Sequence, residues 1–278
     1  MSGKIHRLGR FRYPGSRLGL IVPIDHGLTI GPVTGLGCVD EIAGWLDHPA
    51  ITGVIGHKGM ITRLAERGLL SRLGVMVHLN GMSTLGPSAD RKERLTAVET
   101  AVRLGADGVS LQVNFDGTND AHNLALLGEV VDEAARFALP VLAMVYDKVT
   151  TPTIGSRIVR LRHLMRIGWE LGVDAVKIAP PDELAAIEAV MTGLAEDLPI
   201  FFAGGEVTGY ERTAALAREA IRCGAAGLCA GRNVFGQPDP ADALDRLGAV
   251  LGAPVRRATG HAQGLTSIDG VGRAATGF

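Results

Sequence analysis

The chain is poor in cysteine, in lysine and in surplus charge, and each shortage removes a class of function. Three cysteines in 278 residues, Cys38, Cys223 and Cys229, cannot all pair and follow no metal-ligand spacing. A disulfide scaffold and a cysteine-based metal centre are therefore not expected; a reducing compartment, the cytoplasm, is. Lys and Arg number 28 against 29 Asp and Glu, a formal net charge of −1. That balance leaves no basic face for nucleic acid or an anionic membrane. No apolar run reaches the length of a membrane span. The opening residues, MSGKIHRLGRFRYPG, lack the apolar core of a secretory signal. Only five residues are lysine, so the position of each is informative.

Hydrophobic residues make up 46% and charged residues 21%, enough for a sizeable core. They are arranged as short apolar runs, each followed by a longer amphipathic segment. The runs are 18–25, 51–57, 74–80, 108–114, 140–146, 174–179, 198–205 and 227–232. Helical spacing recurs over 91–106, 123–139, 160–172, 182–196 and 209–225. Strands that are apolar almost throughout are buried on both faces, as in a parallel sheet covered by helices. Eight of them alternating with helices predict an α/β fold of the (β/α)8 TIM barrel type, as a single domain. The recurring strand entries GADG, GVDA and GAAG support the repeat. An open doubly wound sheet shares the alternation, but Asp25-His26-Gly27 follows the first run where a dinucleotide fingerprint belongs. The expected organisation is an N-terminal segment (1–17), the barrel (18–252) and a Gly-rich C-terminal tail (253–278).

Chemistry in such a barrel belongs at the C-terminal ends of the strands. Those ends carry Asp25 and His26, His57 and Lys58, His78 and Asn80, Gln112 and Asn114, then Tyr146, Asp147 and Lys148. Lys177, Gly204, Gly205 and Glu206, and Gly231 and Arg232 follow. Period-two alternation puts His78 with Asn80, and Gln112 with Asn114, on common faces directed inward. An interior this polar makes a poor core and a good site. Structural readings stand beside the functional ones. Asp25 suits a helix N-cap, His57 and His78 suit hydrogen-bonded core positions, and Cys229 suits simple packing.

Lys177 lies mid-strand in Asp174-Ala-Val-Lys-Ile-Ala-Pro-Pro181. Either its ammonium reaches the barrel mouth or a carboxylate such as Asp25, or burial and neighbouring cations lower its pKa so that the neutral amine attacks a carbonyl. Lys58 and Lys148 follow strand ends and suit anion binding. Ala203-Gly204-Gly205 and Gly231-Arg232 leave backbone N–H groups unobstructed after the last two strands, the usual phosphate position of this architecture.

These residues resemble a known family. IVPIDHGLTIGP (21–32), GHKG (56–59), GADGVSLQVN (105–114), LPVLAMVY (139–146), DAVKIA (174–179), FFAGG (201–205) and GAAGLCAGRNVF (224–235) are similar, in order, to archaeal-type class I aldolases. That group contains class I fructose-bisphosphate aldolases, 2-amino-3,7-dideoxy-D-threo-hept-6-ulosonate synthases and aminohydroxybenzoate-pathway relatives. The resemblance implies a Schiff-base aldolase or transaldolase with Lys177 as the imine-forming residue, Tyr146 in proton transfer and Asp25 at the reacting centre. It implies phosphate binding by Ala203, Gly204, Gly205, Gly231 and Arg232, with His26, His57, Lys58 and Lys148 as further substrate contacts. No metal and no cofactor are implied. The partners are a phosphorylated small molecule and further copies of the chain in a homo-oligomer such as a decamer. Met144 stands where the fructose-bisphosphate branch tends to carry Trp, which leans toward the synthase branch and an acceptor such as aspartate semialdehyde. Yet Tyr146-Asp147-Lys148-Val149 replaces that branch's Y-P-R-G, with Lys148 in place of the arginine. Other readings are a fructose-bisphosphate aldolase, an isomerase-like barrel using Lys177 electrostatically, or a sugar-phosphate-binding barrel without turnover.

Overall fold

The computed structural model describes residues 2–86, 89–149 and 154–254. Eight parallel strands close on themselves: β1 (Gly19–Pro23), β2 (Gly53–Gly56), β3 (Gly74–His78), β4 (Gly108–Phe115), β5 (Val141–Asp147), β6 (Ala175–Ile178), β7 (Ile200–Ala203) and β8 (Gly227–Cys229). Each pairs with its sequence neighbours, and β8 returns to β1. The (β/α)8 barrel expected from the alternation is therefore the fold. The Gly-rich stretch 255–278, most of the expected tail, lies outside the described residues.

Two apolar clusters separate the inside of the sheet from the outside. Leu20, Val22, Val54, Val77, Leu111, Val145, Val176 and Phe202 face the helix layer. Their strand neighbours Ile21, Ile55, Met76, Met144, Ala175, Phe201 and Cys229 form the inner cluster. Period-two alternation on a closed sheet produces this split. The repeated Asp at strand entries has a direct purpose. Asp107 Oδ2 accepts from Val75 N at 3.0 Å, and Asp174 Oδ2 accepts from Val141 N at 2.9 Å, each tying one strand start to its neighbour.

The N-terminal segment closes one end. After helix Ser2–Gly9, Arg10 donates to Leu73 O (2.8 Å), and Thr52 Oγ1 donates to Phe11 O (2.9 Å). Phe11 is 2% exposed and joins the inner cluster. Gly53 and Gly74 make room for it, since a Cβ there would stand 2.5 and 2.7 Å from its ring. The opposite end, where the strands finish, stays open to the loops.

Two expected helices are corrected. Over 91–106 only Val98–Arg103 is helical, and Glu93–Arg94 pairs antiparallel with Asn80–Gly81 instead. Over 182–196 the chain forms a short 3-10 turn, Leu184–Ala186, then a five-residue helix, Ile187–Met191. The ladder at 93–94 and Gly193, held at φ 75°, interrupt the helical spacing. No helix among the described residues is long and apolar enough to cross a membrane.

Phe11→Ala should remove the plug without touching the open end, at a cost of about 3–5 kcal/mol. Urea unfolding followed by circular dichroism should show a lower midpoint at an unchanged slope. An unaltered midpoint would mean that the barrel floor packs without it.

Candidate active site

The open end gathers the polar residues around Lys177. This lysine is 5% exposed and sits in β6 in register with Met144 on β5 and Phe201 on β7, so its neighbours at that level are apolar. The Tyr146 hydroxyl and the Cys229 thiol face its ammonium. Tyr146 stands one inward step higher on β5 and is half-buried. Asp25 follows β1 at the N-cap position of helix His26–Ile30, but its side chain makes no cap hydrogen bond. The carboxylate turns to the histidines: Oδ1 lies 3.5 Å from His26 Nδ1, and Oδ2 lies 3.6 Å from His78 Nε2. The far nitrogen of His78, Nδ1, is 2.8 Å from Ser110 Oγ on β4. His57 stacks edge-on against His78, with ring centroids 5.2 Å apart.

The electrostatics follow from burial. Burial pushes His78 down from 6.5 to about 4, against the pull of Asp25, so its ring is neutral near neutrality. His26 and His57 are lowered by burial as well. Burial also acts to raise Asp25, but the net direction is down, and with the facing imidazoles neutral the full positive charge that holds the carboxylate ionised is Lys177. Lys177 departs from the sequence expectation. Burial acts downward as anticipated, yet Cys229, Tyr146 and Asp25 act upward and the net direction is up. No cation acts on it to assist the downward shift expected from the sequence. The Cys229 thiol, pushed up to about 11 by burial, is uncharged at neutral pH. The full negative charge that then faces Lys177 is Asp25.

Across the mouth, the ends of β7 and β8 approach closely. Gly205 adopts φ 76°, a conformation that favours glycine. A Cβ on Gly204 would meet Asn233 Nδ2 at 2.9 Å, and one on Gly231 would meet Pro23 O at 2.6 Å. Asn233, which is buried, clamps the two loops. Its Nδ2 donates to Gly204 O (2.8 Å) and Glu206 O (2.9 Å), while Oδ1 accepts from Thr208 N (2.9 Å). Ala203 is the last residue of β7. Arg232 opens the short helix Arg232–Phe235, and its guanidinium is paired with exposed Glu206 at 2.5 Å. An incoming anion at Arg232 has to displace that carboxylate.

Lys58 and Lys148 are placed differently from one another. Lys58 Nζ donates to Leu95 O at 2.9 Å, holding the loop that carries the ladder. Lys148 Nζ lies 3.5 Å from Asp90 Oδ1 and 6.0 Å from the centre of the Tyr146 ring. The inward pairs are as expected. Asn80 exchanges hydrogen bonds with the Gln112 backbone (2.8 Å each), and Gln112 Nε2 donates to Asn114 Oδ1 at 2.8 Å. Four residues of the site are not singled out by the sequence pattern. Ser110 shares the parity of Gln112 and is visible on that ground. Asn233 ends the AGRN string. Cys229 suggests only a packing role, and Lys92, 3% exposed, lies inside a segment with helical spacing. Among the described residues no cluster suits a metal ion. A cavity of about 510 Å³ opens at the other end of the barrel, where Arg222 is already engaged by Glu188 and Glu219.

The depressed His78 makes the fold acid-sensitive. Between pH 6.5 and 4 the unfolded chain binds a proton on this ring and the folded chain does not. Stability therefore falls with falling pH, by roughly 3 kcal/mol across that window. His78→Asn should flatten the slope in urea titrations taken at stepped pH; an unchanged slope would assign the sensitivity elsewhere.

Comparison with known proteins places this geometry. Residues 19–237 match the DeoC/LacD family aldolase. A 2-amino-4,5-dihydroxy-6-oxo-7-(phosphonooxy)heptanoate synthase from Streptomyces griseus is 31% identical, over 88% of this chain and 89% of that protein. The 2-amino-3,7-dideoxy-D-threo-hept-6-ulosonate synthase 1 of Archaeoglobus fulgidus is 34% identical, over 86% and 87%. The crystal structure of an archaeal fructose 1,6-bisphosphate aldolase superposes with a TM-score of 0.76 at 24% identity, covering 89% of this chain and 98% of that one. The chain belongs to the DeoC/LacD aldolase family.

Proposed function

We propose that this protein is a class I aldolase that forms an imine on Lys177 with dihydroxyacetone phosphate or a related phosphorylated ketose. It joins that donor to an aldehyde such as aspartate semialdehyde. The observation that carries the reading is a lysine buried among apolar side chains, beside Tyr146 and facing the buried carboxylate of Asp25, below two glycine loops clamped by Asn233.

The name of the Streptomyces relative describes a seven-carbon product with a 6-oxo group and a 4-hydroxyl. The hydroxyl is β to the ketone, so the aldol bond is C4–C5. Cleaving it leaves a three-carbon phosphonooxy ketone and a four-carbon 2-amino aldehyde. A donor and acceptor of that kind are proposed for this chain too.

Attack requires the neutral amine. Passing the Lys177 proton to Asp25 discharges both groups together, and the loss of two buried charges offsets part of the cost in a low-dielectric site. The amine then adds to the ketone carbon, and loss of water gives the protonated imine. Removal of the adjacent C–H proton leaves an enamine whose carbon attacks the aldehyde, while the aldehyde oxygen takes up a proton. Tyr146, which faces the Lys177 nitrogen, is the proposed shuttle, and Asp25 the carboxylate that balances the imine's positive charge. His26 and His57 line the approach. The Ala203-Gly204-Gly205 and Gly231-Arg232 backbones hold the phosphate, which fixes the carbonyl over the amine.

Borohydride reduction in the presence of dihydroxyacetone phosphate should add the three-carbon unit at Lys177 on peptide mapping. No adduct, or one at another lysine, overturns the reading. Lys177→Met should abolish trapping. Tyr146→Phe should keep it and slow carbon–carbon bond formation by about 10²–10⁴; wild-type turnover in that variant would remove Tyr146 from proton transfer. Cleavage of fructose 1,6-bisphosphate faster than condensation with aspartate semialdehyde would favour the fructose-bisphosphate branch.

A further inference from the structure

Lys92 is a buried cation outside the group that surrounds Lys177. The segment carrying it folds over the barrel mouth, held by the Asn80–Gly81 ladder and by Leu95 N and Thr96 N, which both donate to Leu79 O. His122 Nε2 lies 3.0 Å from Lys92 O and ties the same turn to helix Asp120–Arg136. The side chain that results is 3% exposed. A buried ammonium ordinarily has an anionic partner.

The neighbouring cations each have one. Arg91 pairs with Glu93 at 2.7 Å, Arg94 with Glu133, and Arg160 with Asp147 at 2.8 Å. Lys92 makes no ion pair within 4 Å among the described residues; Asp90 acts on it first and Asp25 after it, and Asp90 also serves Lys148. It lies 3.5 Å from Lys148 Nζ, and Asn114 Nδ2 donates to its Oδ1 at 3.2 Å and to its carbonyl at 3.0 Å. Burial lowers Lys92 against the pull of Asp90, while Lys148 pushes the same way as burial. Two ammonium groups thus share one oriented carboxylate, leaving one cation over.

This trio sits beside the reacting centre and away from the glycine loops. Asn114 is in register with Tyr146, and the field of Lys92 reaches Asp25 and His78. It stands at the ends of β3, β4 and β5, across the barrel from β7 and β8. A molecule held at the loops by a phosphate and at Lys177 by its carbonyl would extend its other end here. A phosphate dianion fits this end poorly, because Asp90 repels it and the neighbouring guanidinium groups of Arg91, Arg94 and Arg160 are already engaged by carboxylates. A head group with both charges fits it.

We propose that Lys92, Lys148 and Asp90 form the seat for the α-amino acid head of the acceptor, the lysines taking its carboxylate and Asp90 its ammonium. The proposal rests on the aldolase reading and adds to it the residues that choose the aldehyde. Lys148 acts here as an acceptor contact rather than a phosphate contact.

The test has two arms. In the first, the full-length protein is titrated calorimetrically with L-homoserine, which has the same head and four-carbon length but no aldehyde. It should bind, and Lys92→Gln and Asp90→Asn should each weaken binding at least tenfold. In the second, kcat/KM is compared for aspartate semialdehyde, glyceraldehyde 3-phosphate and glycolaldehyde. The preference for aspartate semialdehyde over glycolaldehyde should drop at least tenfold in both variants, while borohydride trapping at Lys177 persists. Equal losses on all three aldehydes, a loss confined to glyceraldehyde 3-phosphate, or no homoserine binding would each overturn the seat. Homoserine binding without any imine at Lys177 would overturn the aldolase reading and leave the seat standing.

Discussion

The buried charges of Asp25 and Lys177 are the constraint on which the rest of this barrel depends. Neither group is comfortable alone. Burial acts to protonate Asp25 and to deprotonate Lys177, and each keeps its charge through the field of the other and of polar neighbours. Removing either charge would leave its counterpart uncompensated in an apolar interior. A single proton passed between them neutralises both. The interior is therefore built to hold a proton close to its point of transfer, and the three histidines, all depressed by burial, supply polarity without fixed charge.

That arrangement needs a rigid frame, and the frame comes from alternation. The residues beside and beneath Lys177 in the inner cluster, Met144 and Phe201 at its level and then Ala175 and Ile21, continue as packing down to Phe11, which closes the floor. Water is excluded from below and admitted from above. His78 is fixed by Ser110 on one side and faces Asp25 on the other, so the carboxylate is positioned by a contact that begins on β4. On the far side, Asn233 sets the spacing of the β7 and β8 loops with three short hydrogen bonds. The proposed imine centre and the proposed phosphate seat are thus positioned by different strands of one closed sheet.

Much of this is legible in the amino-acid sequence, for a physical reason. Period two in a parallel sheet assigns every strand residue to one of two faces, so the inward direction of His78, Asn80, Gln112 and Asn114 follows from parity alone. The strand ends then locate the site. What escapes are properties set by tertiary contact. The helical spacing of 91–106 gives way at 93–94 because pairing with Asn80–Gly81 and the carbonyl of Leu79 captures the backbone. That rearrangement is what buries Lys92. The direction of the Lys177 shift escapes as well, because it depends on Cys229, Tyr146 and Asp25 converging on the ammonium from three other strands, which spacing along one strand does not reveal.

The two unlike anion seats proposed for the mouth would bear on specificity more than on rate. At the glycine loops, backbone N–H groups and Arg232 with its displaceable Glu206 suit a dianion with several acceptor oxygens. At Lys92, Lys148 and Asp90 the charges alternate in sign, and alternation penalises any ligand that carries only one. A bisphosphate sugar satisfies the first seat and is repelled by Asp90 at the second. A chain with a phosphate at one end and an amino acid at the other satisfies both. The replacement of arginine by Lys148 in the Tyr146-Asp147-Lys148 turn fits this account, because Asp147 already engages Arg160 through two 2.8 Å hydrogen bonds and leaves the lysine free to face Asp90. Selection of the acceptor then resides in a carboxylate that excludes as much as in the cations that attract.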